Sequence, residues 1–308
     1  MRRIVIAALM AVVAFNFIID GAFAASKERY KPFVLATQGA GDLDATAIDV
    51  RKKLKSAGLE IAGTHRPYPG TIIQVVTNEA MKEAAAKTER GGFGAAQRVS
   101  ITDHNGEIQV SYTNPKYMAG AYRMESDLGF AAEILEGALG KIREYGMDTG
   151  MTDSDLRDYH YMFGMEYFDE PNNLSRFKTH EDAVASVEKG LAEGIMGITK
   201  IYRIDIPGKQ EVVFGVGMNG SKGDGDQQDD AFLMSEIDFK DIRSSAHLPY
   251  EMMVSGNRVY ALSARFRIAI SFPDLSMMGD NSFMNIQACP KTIKTALTKA
   301  AGDVWVKQ

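Results

Sequence analysis

The chain has 308 residues, 45% of them hydrophobic and 24% charged, and this composition excludes collagen-like, coiled-coil and largely disordered proteins. Its formal net charge of −5 is of the wrong sign for a protein that coats nucleic acid or an anionic membrane surface, so we expect neither partner. The length is sufficient for two domains, and the single cysteine excludes an internal disulfide framework.

The N-terminal segment, residues 1–24, predicts a secretory signal peptide. It has a basic start, a nearly uninterrupted apolar run over residues 4–19, and an Ala-Phe-Ala cleavage motif at residues 22–24. A membrane anchor is the alternative, but Asn16 breaks the apolar run, which is shorter than the roughly 20 residues that span hydrocarbon. No later segment is long and apolar enough to cross a membrane. We therefore expect a soluble protein that is periplasmic or secreted and has no stable membrane insertion after cleavage.

The first half of the chain predicts alternating strands and helices: a strand at residues 33–36, a helix at 43–57, strands at 72–76 and 108–112, and a helix at 128–142. Asp42 is the expected N-cap of the first helix, and Gly58 ends it. Pro69-Gly70 predicts a turn before the second strand, and Asn105-Gly106 predicts a hairpin turn.

The second half predicts a similar series: a helix behind Thr179, strands at 212–216 and 260–272, and a helix at 293–304. Thr179 with Asp182 resembles a capping box. Residues 255–257 (Ser-Gly-Asn) predict a turn. From Tyr260 to Phe272 apolar and other residues alternate up to Pro273, which predicts a long strand with one buried face.

The two series follow one plan, which predicts an α+β protein of two tandem related domains, residues 25–150 and 151–308. Each domain is expected to be a mostly antiparallel sheet with helices packed on one face. The boundary falls near residues 146–158, where glycines and aspartates interrupt the apolar pattern. The second domain carries an acidic insertion at residues 219–230, whose Gly, Asp, Gln and Ser composition predicts a solvated, flexible segment that builds no core.

Four segments carry a resemblance to a known family: residues 44–57, residues 72–77, the stretch NGEIQVSYTNPKYMAGAY at 105–122, and QACPKTIKTAL at 287–297. On these residues the chain resembles domain of unknown function family 302, the TTHA-type bacterial α/β domain. The last stretch looks like the family's Cys-Asn-Pro-Lys sequence without its Asn. The resemblance covers most of residues 35–125 and, more weakly, 180–304. It implies a compact α+β fold that often dimerises, with no established activity, so we expect the tandem halves to form an intramolecular pseudo-dimer.

Cys289 is the candidate catalytic residue. Pro290 suits the first helical position, which would make Cys289 the N-cap, where the helix dipole and free amides lower the pKa of a thiol. Such a thiol could carry persulfide, metal or redox chemistry. The alternative is that Cys289 is a small buried side chain at the start of a helix with no chemical role. The absence of a His or a second Cys nearby in the sequence favours this alternative.

Arg265, Arg267 and Asn114 are the candidate ligand-binding residues. On the predicted strand, Arg265 and Arg267 project from the same face and could grip a carboxylate, sulfate or phosphate. The alternative is a solvated strand face paired with acidic neighbours. Asn114 ends the first hairpin strand, in the stretch that resembles the family.

The sequence predicts no metal site and no cofactor. The five histidines are scattered, and the aspartates of the 219–230 insertion lack the Gly and Glu positions of an EF-hand loop. The thioethers of the 17 methionines could bind Cu(I), but the methionines form no tight cluster in the sequence. Packing in the hydrophobic core explains them better.

The functional prediction is an exported soluble protein that binds a small ligand, or an envelope protein partner, at the interface of two repeated domains. One alternative is a thiol-dependent enzyme or carrier that uses Cys289. A purely structural partner of another envelope protein is the third class. The sequence leaves open whether any reaction is catalysed.

Overall fold

The computed structural model describes residues 28–162 and 164–307. The predicted signal peptide at residues 1–24 therefore lies outside the described residues. Within the described residues, no helix combines the length and the apolar composition needed to cross a membrane.

The N-terminal half forms a six-stranded antiparallel sheet. Its strands are β1 Phe33–Gly39, β2 Glu60–His65, β3 Thr71–Thr77, β4 Gln97–His104, β5 Glu107–Thr113 and β6 Arg143–Tyr145. They lie side by side in the order β2-β3-β4-β5-β1-β6. Every neighbouring pair in this sheet is antiparallel.

The C-terminal half forms a five-stranded antiparallel sheet. Its strands are β7 Asn172–Arg176, β8 Ile198–Asp205, β9 Glu211–Met218, β10 Tyr250–Ser255 and β11 Arg258–Ala261. Their spatial order is β7-β11-β10-β9-β8. In both sheets the first strand of the half pairs with the fifth, and the second to fifth strands are adjacent in sequence order. The first sheet has one more strand, β6, on the other side of β1. The predicted mixture of helices with mostly antiparallel sheets is confirmed.

Nine α-helices occur within the described residues: α1 Leu43–Ser56, α2 Glu79–Ala86, α3 Pro115–Ala121, α4 Gly129–Leu139, α5 Asp153–Arg157, α6 His180–Ala192, α7 Asp230–Ile237, α8 Ala264–Ser271 and α9 Cys289–Ala300. The Asp42 side chain accepts a hydrogen bond from the backbone N–H of Ala45 and caps α1, as predicted. Thr179 likewise accepts from the N–H of Asp182 at the start of α6. These caps satisfy backbone donors that the first helical turn leaves free.

The predicted hairpin turns are confirmed. Asn105 and Gly106 connect β4 to β5 with φ values of 55° and 82°, a left-handed conformation that Asn and Gly tolerate well. Gly256, also at positive φ, lies in the turn between β10 and β11.

The two sheets contact each other. Gly63 on β2 lies so close to β8 that a Cβ at this position would be 2.4 Å from the carbonyl oxygen of Ile201. One hydrophobic core cluster contains residues of both halves, including Ile101 from β4 and Tyr202 from β8. The contact between the two halves is therefore part of this hydrophobic cluster.

The predicted long strand at residues 260–272 is wrong. Strand β11 ends at Ala261, and residues 264–271 form helix α8. All of its residues except Arg265 are buried, so apolar and polar side chains are enclosed on every side. A helix that is buried on nearly all sides needs no polar face, so its apolar residues need not recur at helical spacing. Apolar and other residues can then alternate in its sequence as they do in a strand with one buried face.

The insertion at residues 219–230 also differs from its prediction, because part of it is packed into the protein. It contains short 3-10 turns at Gly220–Lys222 and Asp226–Gln228, and it ends at the start of α7. Gln228 is buried, and its side-chain amide donates to the carbonyl of Met196 at 2.5 Å. Hydrogen bonds, rather than apolar contacts, hold this polar segment in place.

Candidate functional site

A cleft of about 550 Å³ lies between the two halves of the chain. Its lining includes Tyr68, Thr102, Asp103 and His104 from the first half, and Met234, Asp238, Phe239, Arg243 and Ser245 from the second. We call it the Asp238 cleft. Its volume lies within the range of small-molecule sites, and its lining mixes apolar side chains with a few polar groups, as such sites do.

A chain of hydroxyl groups crosses the cleft from one half to the other. The Tyr68 hydroxyl donates to Ser245 Oγ at 3.0 Å. Thr102 Oγ1 donates to the same oxygen at 3.3 Å. Ser245 Oγ in turn lies 3.5 Å from Asp238 Oδ2 and donates to it. Ser245 is fully buried, so this junction holds side chains from both halves in fixed positions.

Asp238 is a buried carboxyl group beside this junction. Its Oδ1 accepts the backbone N–H of Ser244 at 2.9 Å. Burial raises the pKa of Asp238 from its usual value to about 7, against the smaller opposite effects of Ser244 and Arg243. The group can therefore gain or lose a proton near neutral pH. Burial also raises the pKa of Tyr68, to about 12, so its hydroxyl remains a donor.

Arg243 and His104 form the basic side of the cleft. Arg243 Nε and Nη2 both approach His104 Nδ1 at 3.2 Å. Since a guanidinium can only donate, His104 Nδ1 is the acceptor in this contact. A further N–H of Arg243 donates to the backbone carbonyl of Asp238, which keeps the guanidinium close to the carboxyl group.

Strand register explains why these residues meet. In the β3–β4 pair Thr71 lies opposite Thr102, so Tyr68, before β3, and His104, at the end of β4, lie at the same end of the sheet. In the other half Asp238 follows α7, and the segment from there to β10 carries Arg243 and Ser245.

Arg267 does not face the Asp238 cleft. It lies on α8, and its buried guanidinium donates through Nη1 to Glu251 Oε2 at 2.5 Å. On the other side Arg98 donates through Nη2 to Glu251 Oε1, also at 2.5 Å. Arg267 was predicted to bind an anionic ligand, whereas the carboxylate it binds here belongs to Glu251 of the chain itself.

Arg265 and Arg267 do not share a face. Residues two apart on a helix point in nearly opposite directions, so the pair expected on a strand does not exist. Arg265 is exposed, and its Nη1 pairs with Glu166 Oε1 at 3.2 Å. The prediction that both arginines grip one anion is therefore wrong in its geometry.

Asn114 is the N-cap residue of α3, but its side chain makes no capping hydrogen bond. It is buried, and its Nδ2 has no hydrogen-bond partner. Asn114 does not line the Asp238 cleft. A ligand-binding role for Asn114 stays a prediction.

Cys289 is the first residue of α9, and Ala288 is the N-cap. The thiol is buried, and Sγ lies 3.3 Å from Gln227 Oε1, to which it donates. Burial raises the pKa of Cys289 to about 12, the opposite of the direction expected at a helix N-terminus. Because the thiolate is the nucleophile, this protonated thiol is poorly suited to catalysis.

No sequence motif predicted the residues of the Asp238 cleft. Tyr68 and Ser245 are 177 residues apart and belong to no short motif. The one local indication was the Pro69-Gly70 turn, which places Tyr68 at the end of a hairpin but says nothing of its partner. Across residues 28–162 and 164–307, no group of three or more His, Cys, Asp or Glu side chains is arranged to hold a metal ion.

Comparison with protein-family models, with curated proteins and with solved structures finds no significant match to this chain. The resemblance to family 302 therefore stays a prediction from the residues quoted above.

Proposed function

We propose that the protein binds a small polar molecule in the Asp238 cleft. The observation that carries this proposal is the junction at Ser245, where Tyr68 from one half and Asp238 from the other meet at the wall of the cleft. Buried polar side chains that converge on a cleft between two parts of a chain are typical of binding sites.

The chemistry of the lining indicates the kind of ligand. Asp238 offers a carboxyl group that accepts hydrogen bonds and titrates near neutral pH. Arg243 supplies a positive charge on the same cleft, while Met234 and Phe239 supply apolar surface. A ligand of matching chemistry carries a hydrogen-bond donor, an acceptor or anionic group, and a small apolar part.

The setting we propose is outside the cytoplasm. Residues 1–24 have a basic start, an apolar run and an Ala-Phe-Ala motif, and these features support export to the periplasm or the medium. The first five strands of each half lie in the same spatial order, which supports two related domains that form an intramolecular pseudo-dimer, with the Asp238 cleft between them. Membership of family 302 is part of the same proposal and rests on the sequence resemblance.

Native mass spectrometry of the full chain, purified from its own compartment, tests the proposal. We expect a co-purifying small molecule on the wild-type protein. Ser235→Trp places an indole in the cleft, because Ser235 lies on α7 and lines it, and this variant should lose the bound mass. Lys189→Trp is the matched control, since Lys189 is an exposed residue of α6 away from the cleft.

The two variants separate the outcomes. Loss of the bound molecule in Ser235→Trp alone supports the cleft as its site. Retention in Ser235→Trp, with a native fold by circular dichroism, would show that the molecule binds elsewhere. A wild-type chain that carries no small molecule after gentle purification would contradict the proposal.

A further inference from the structure

A second cleft, of about 240 Å³, lies between the halves at the other end of the loop that carries Tyr68. It is lined by His65 and Arg66 from the first half, and by Thr199, Gly217, Asn219, Asp229 and Asp230 from the second. We call it the His65 cleft. None of its lining residues lines the Asp238 cleft.

A histidine and an aspartate form a buried pair in this cleft. His65 Nε2 lies 3.0 Å from Asp230 Oδ2, and their side chains are 9% and 1% exposed. Asp230 Oδ2 also accepts the backbone N–H of Met218 at 2.9 Å. With two hydrogen bonds directed at this oxygen, it acts as the acceptor, so Nε2 carries the imidazole proton and Nδ1 is the basic nitrogen.

Gly217 makes room for the free edge of the imidazole ring. A Cβ at Gly217 would lie 2.8 Å from His65 Cε1 and 3.3 Å from His65 Nδ1. Gly217 lines the same cleft, and His65 Nδ1 makes no hydrogen bond to any described residue. The ring is thus held by Asp230 on one side, and its Nδ1 edge lies against Gly217, which also lines the cleft.

This arrangement matches the base and orienting carboxylate of a catalytic dyad. The carboxylate fixes the tautomer and stabilises the imidazolium that forms when Nδ1 takes a proton. No Ser, Thr or Cys side chain among the described residues hydrogen-bonds to this imidazole. The proton therefore comes from a water molecule, which becomes the nucleophile.

The charges in the cleft restrict the substrate. Asp229 and Asp230 both line it, and Arg66 is already paired with Asp44. Two carboxylates repel an anionic substrate such as a phosphate ester, whereas a neutral acyl compound meets no such repulsion. The side chain of Asn219 is exposed at the cleft, and its amide N–H groups can stabilise a developing oxyanion.

We propose that His65 and Asp230 form a general-base dyad that hydrolyses a small neutral ester in the His65 cleft. His65 Nδ1 takes a proton from water as the water oxygen forms a bond to the acyl carbon. The bond from this carbon to the leaving oxygen then breaks, and the imidazolium returns the proton to the leaving group. Ester and water become acid and alcohol, with no cofactor.

Hydrolysis of p-nitrophenyl acetate by the full chain tests the dyad. We expect a wild-type rate above that in buffer. His65→Gln should lower the enzyme-dependent rate by roughly 10²–10⁴-fold, the contribution typical of a general base. His180→Gln is the matched control, because His180 bonds the carbonyl of Gly256 away from the cleft.

Asp230 is a positioning residue, so its test separates kcat from KM. Asp230→Asn should lower kcat and leave KM close to the wild-type value, because the amide stabilises the imidazolium less while the substrate contacts remain. A purely structural role would raise KM or change the circular dichroism spectrum.

Gly217→Ala is a third variant, which tests the dyad even if His65→Gln and Asp230→Asn fail to fold. Its methyl group must displace the imidazole ring, so we expect a reduced rate with an unchanged circular dichroism spectrum. The proposal is overturned by a wild-type rate equal to that in buffer, or by a rate that His65→Gln retains. Neither result affects ligand binding in the Asp238 cleft.

Discussion

Glu251 is a buried charged residue that joins the two halves of the chain. Its buried carboxylate accepts hydrogen bonds from Arg98, Arg267 and the hydroxyl of Tyr202, each at 2.5 Å. Arg98 belongs to the first half and the other partners to the second. A buried carboxylate needs such partners, since an unpaired charge in the interior is strongly destabilising.

Glu251→Ala should lower the free energy of unfolding by about 3–5 kcal/mol, because it leaves two arginines buried without a counter-charge. Glu166→Ala is the control, since it removes only the exposed pair with Arg265 and should cost about 1 kcal/mol or less. Urea unfolding of both variants measures the difference. Equal losses would show that the buried cluster contributes no more than a surface ion pair.

The buried carboxyl group of Asp238 should make the free energy of unfolding depend on pH. Its pKa is about 7 in the folded protein and near its ordinary value of 3.8 in the unfolded chain. The folded state therefore keeps this proton to a higher pH than the unfolded chain does. As a result, the contribution of Asp238 to the free energy of unfolding falls as the pH rises from about 4 to about 7, by about 1.4 kcal/mol per pH unit. Asp238→Asn removes this contribution.

The measurement is the difference between the wild-type and Asp238→Asn stability curves, each obtained by urea unfolding at several pH values. Taking the difference matters because burial also raises the pKa of Asp230 and Glu211, while it lowers the pKa of His247. Those groups contribute to both curves. Parallel curves between pH 4 and pH 7 would contradict the raised pKa of Asp238.

At the scale of single elements, the sequence predicted what local chemistry decides. The caps at Asp42 and Thr179 and the turn at Asn105-Gly106 depend on residues within three positions of one another. Their hydrogen bonds and backbone conformations are favoured by these neighbouring residues themselves. These elements therefore lie where the sequence placed them.

Elements whose environment is set by distant residues were predicted poorly. Alternation predicted a strand at residues 260–272, but α8 is enclosed on nearly all sides, so burial did not select one face. The polar insertion at residues 219–230 packs through the buried side chain of Gln228, which bonds Met196 at 32 positions' separation. Composition alone cannot reveal such a partner.

At the scale of the whole molecule, each of the two large hydrophobic clusters contains residues of both halves. Ile73 from β3 packs in the cluster that otherwise belongs to the second half, and Tyr202 from β8 packs in the first. Ser245 and Glu251 add hydrogen bonds between the halves. Separation would expose apolar surface and break these buried polar contacts.

A chain of residues 28–150 alone should not form a folded monomer. We expect it either to associate with itself or to remain unfolded, as measured by analytical ultracentrifugation and circular dichroism. Co-expression with residues 151–308 is the control and should recover a one-to-one complex with the spectrum of the intact protein. A monomeric first half with cooperative unfolding would show that the halves do not need each other.

The sequence by itself determined the local features of this protein: its helix caps, its hairpin turns and its α+β composition. The tertiary structure alone decided which charges are buried and which clefts exist. Arg267 meets Glu251, Tyr68 meets Ser245 and His65 meets Asp230 only after the two sheets have packed together. Burial then raises the pKa of Asp238 and of Cys289, because desolvation depends on residues far away along the chain.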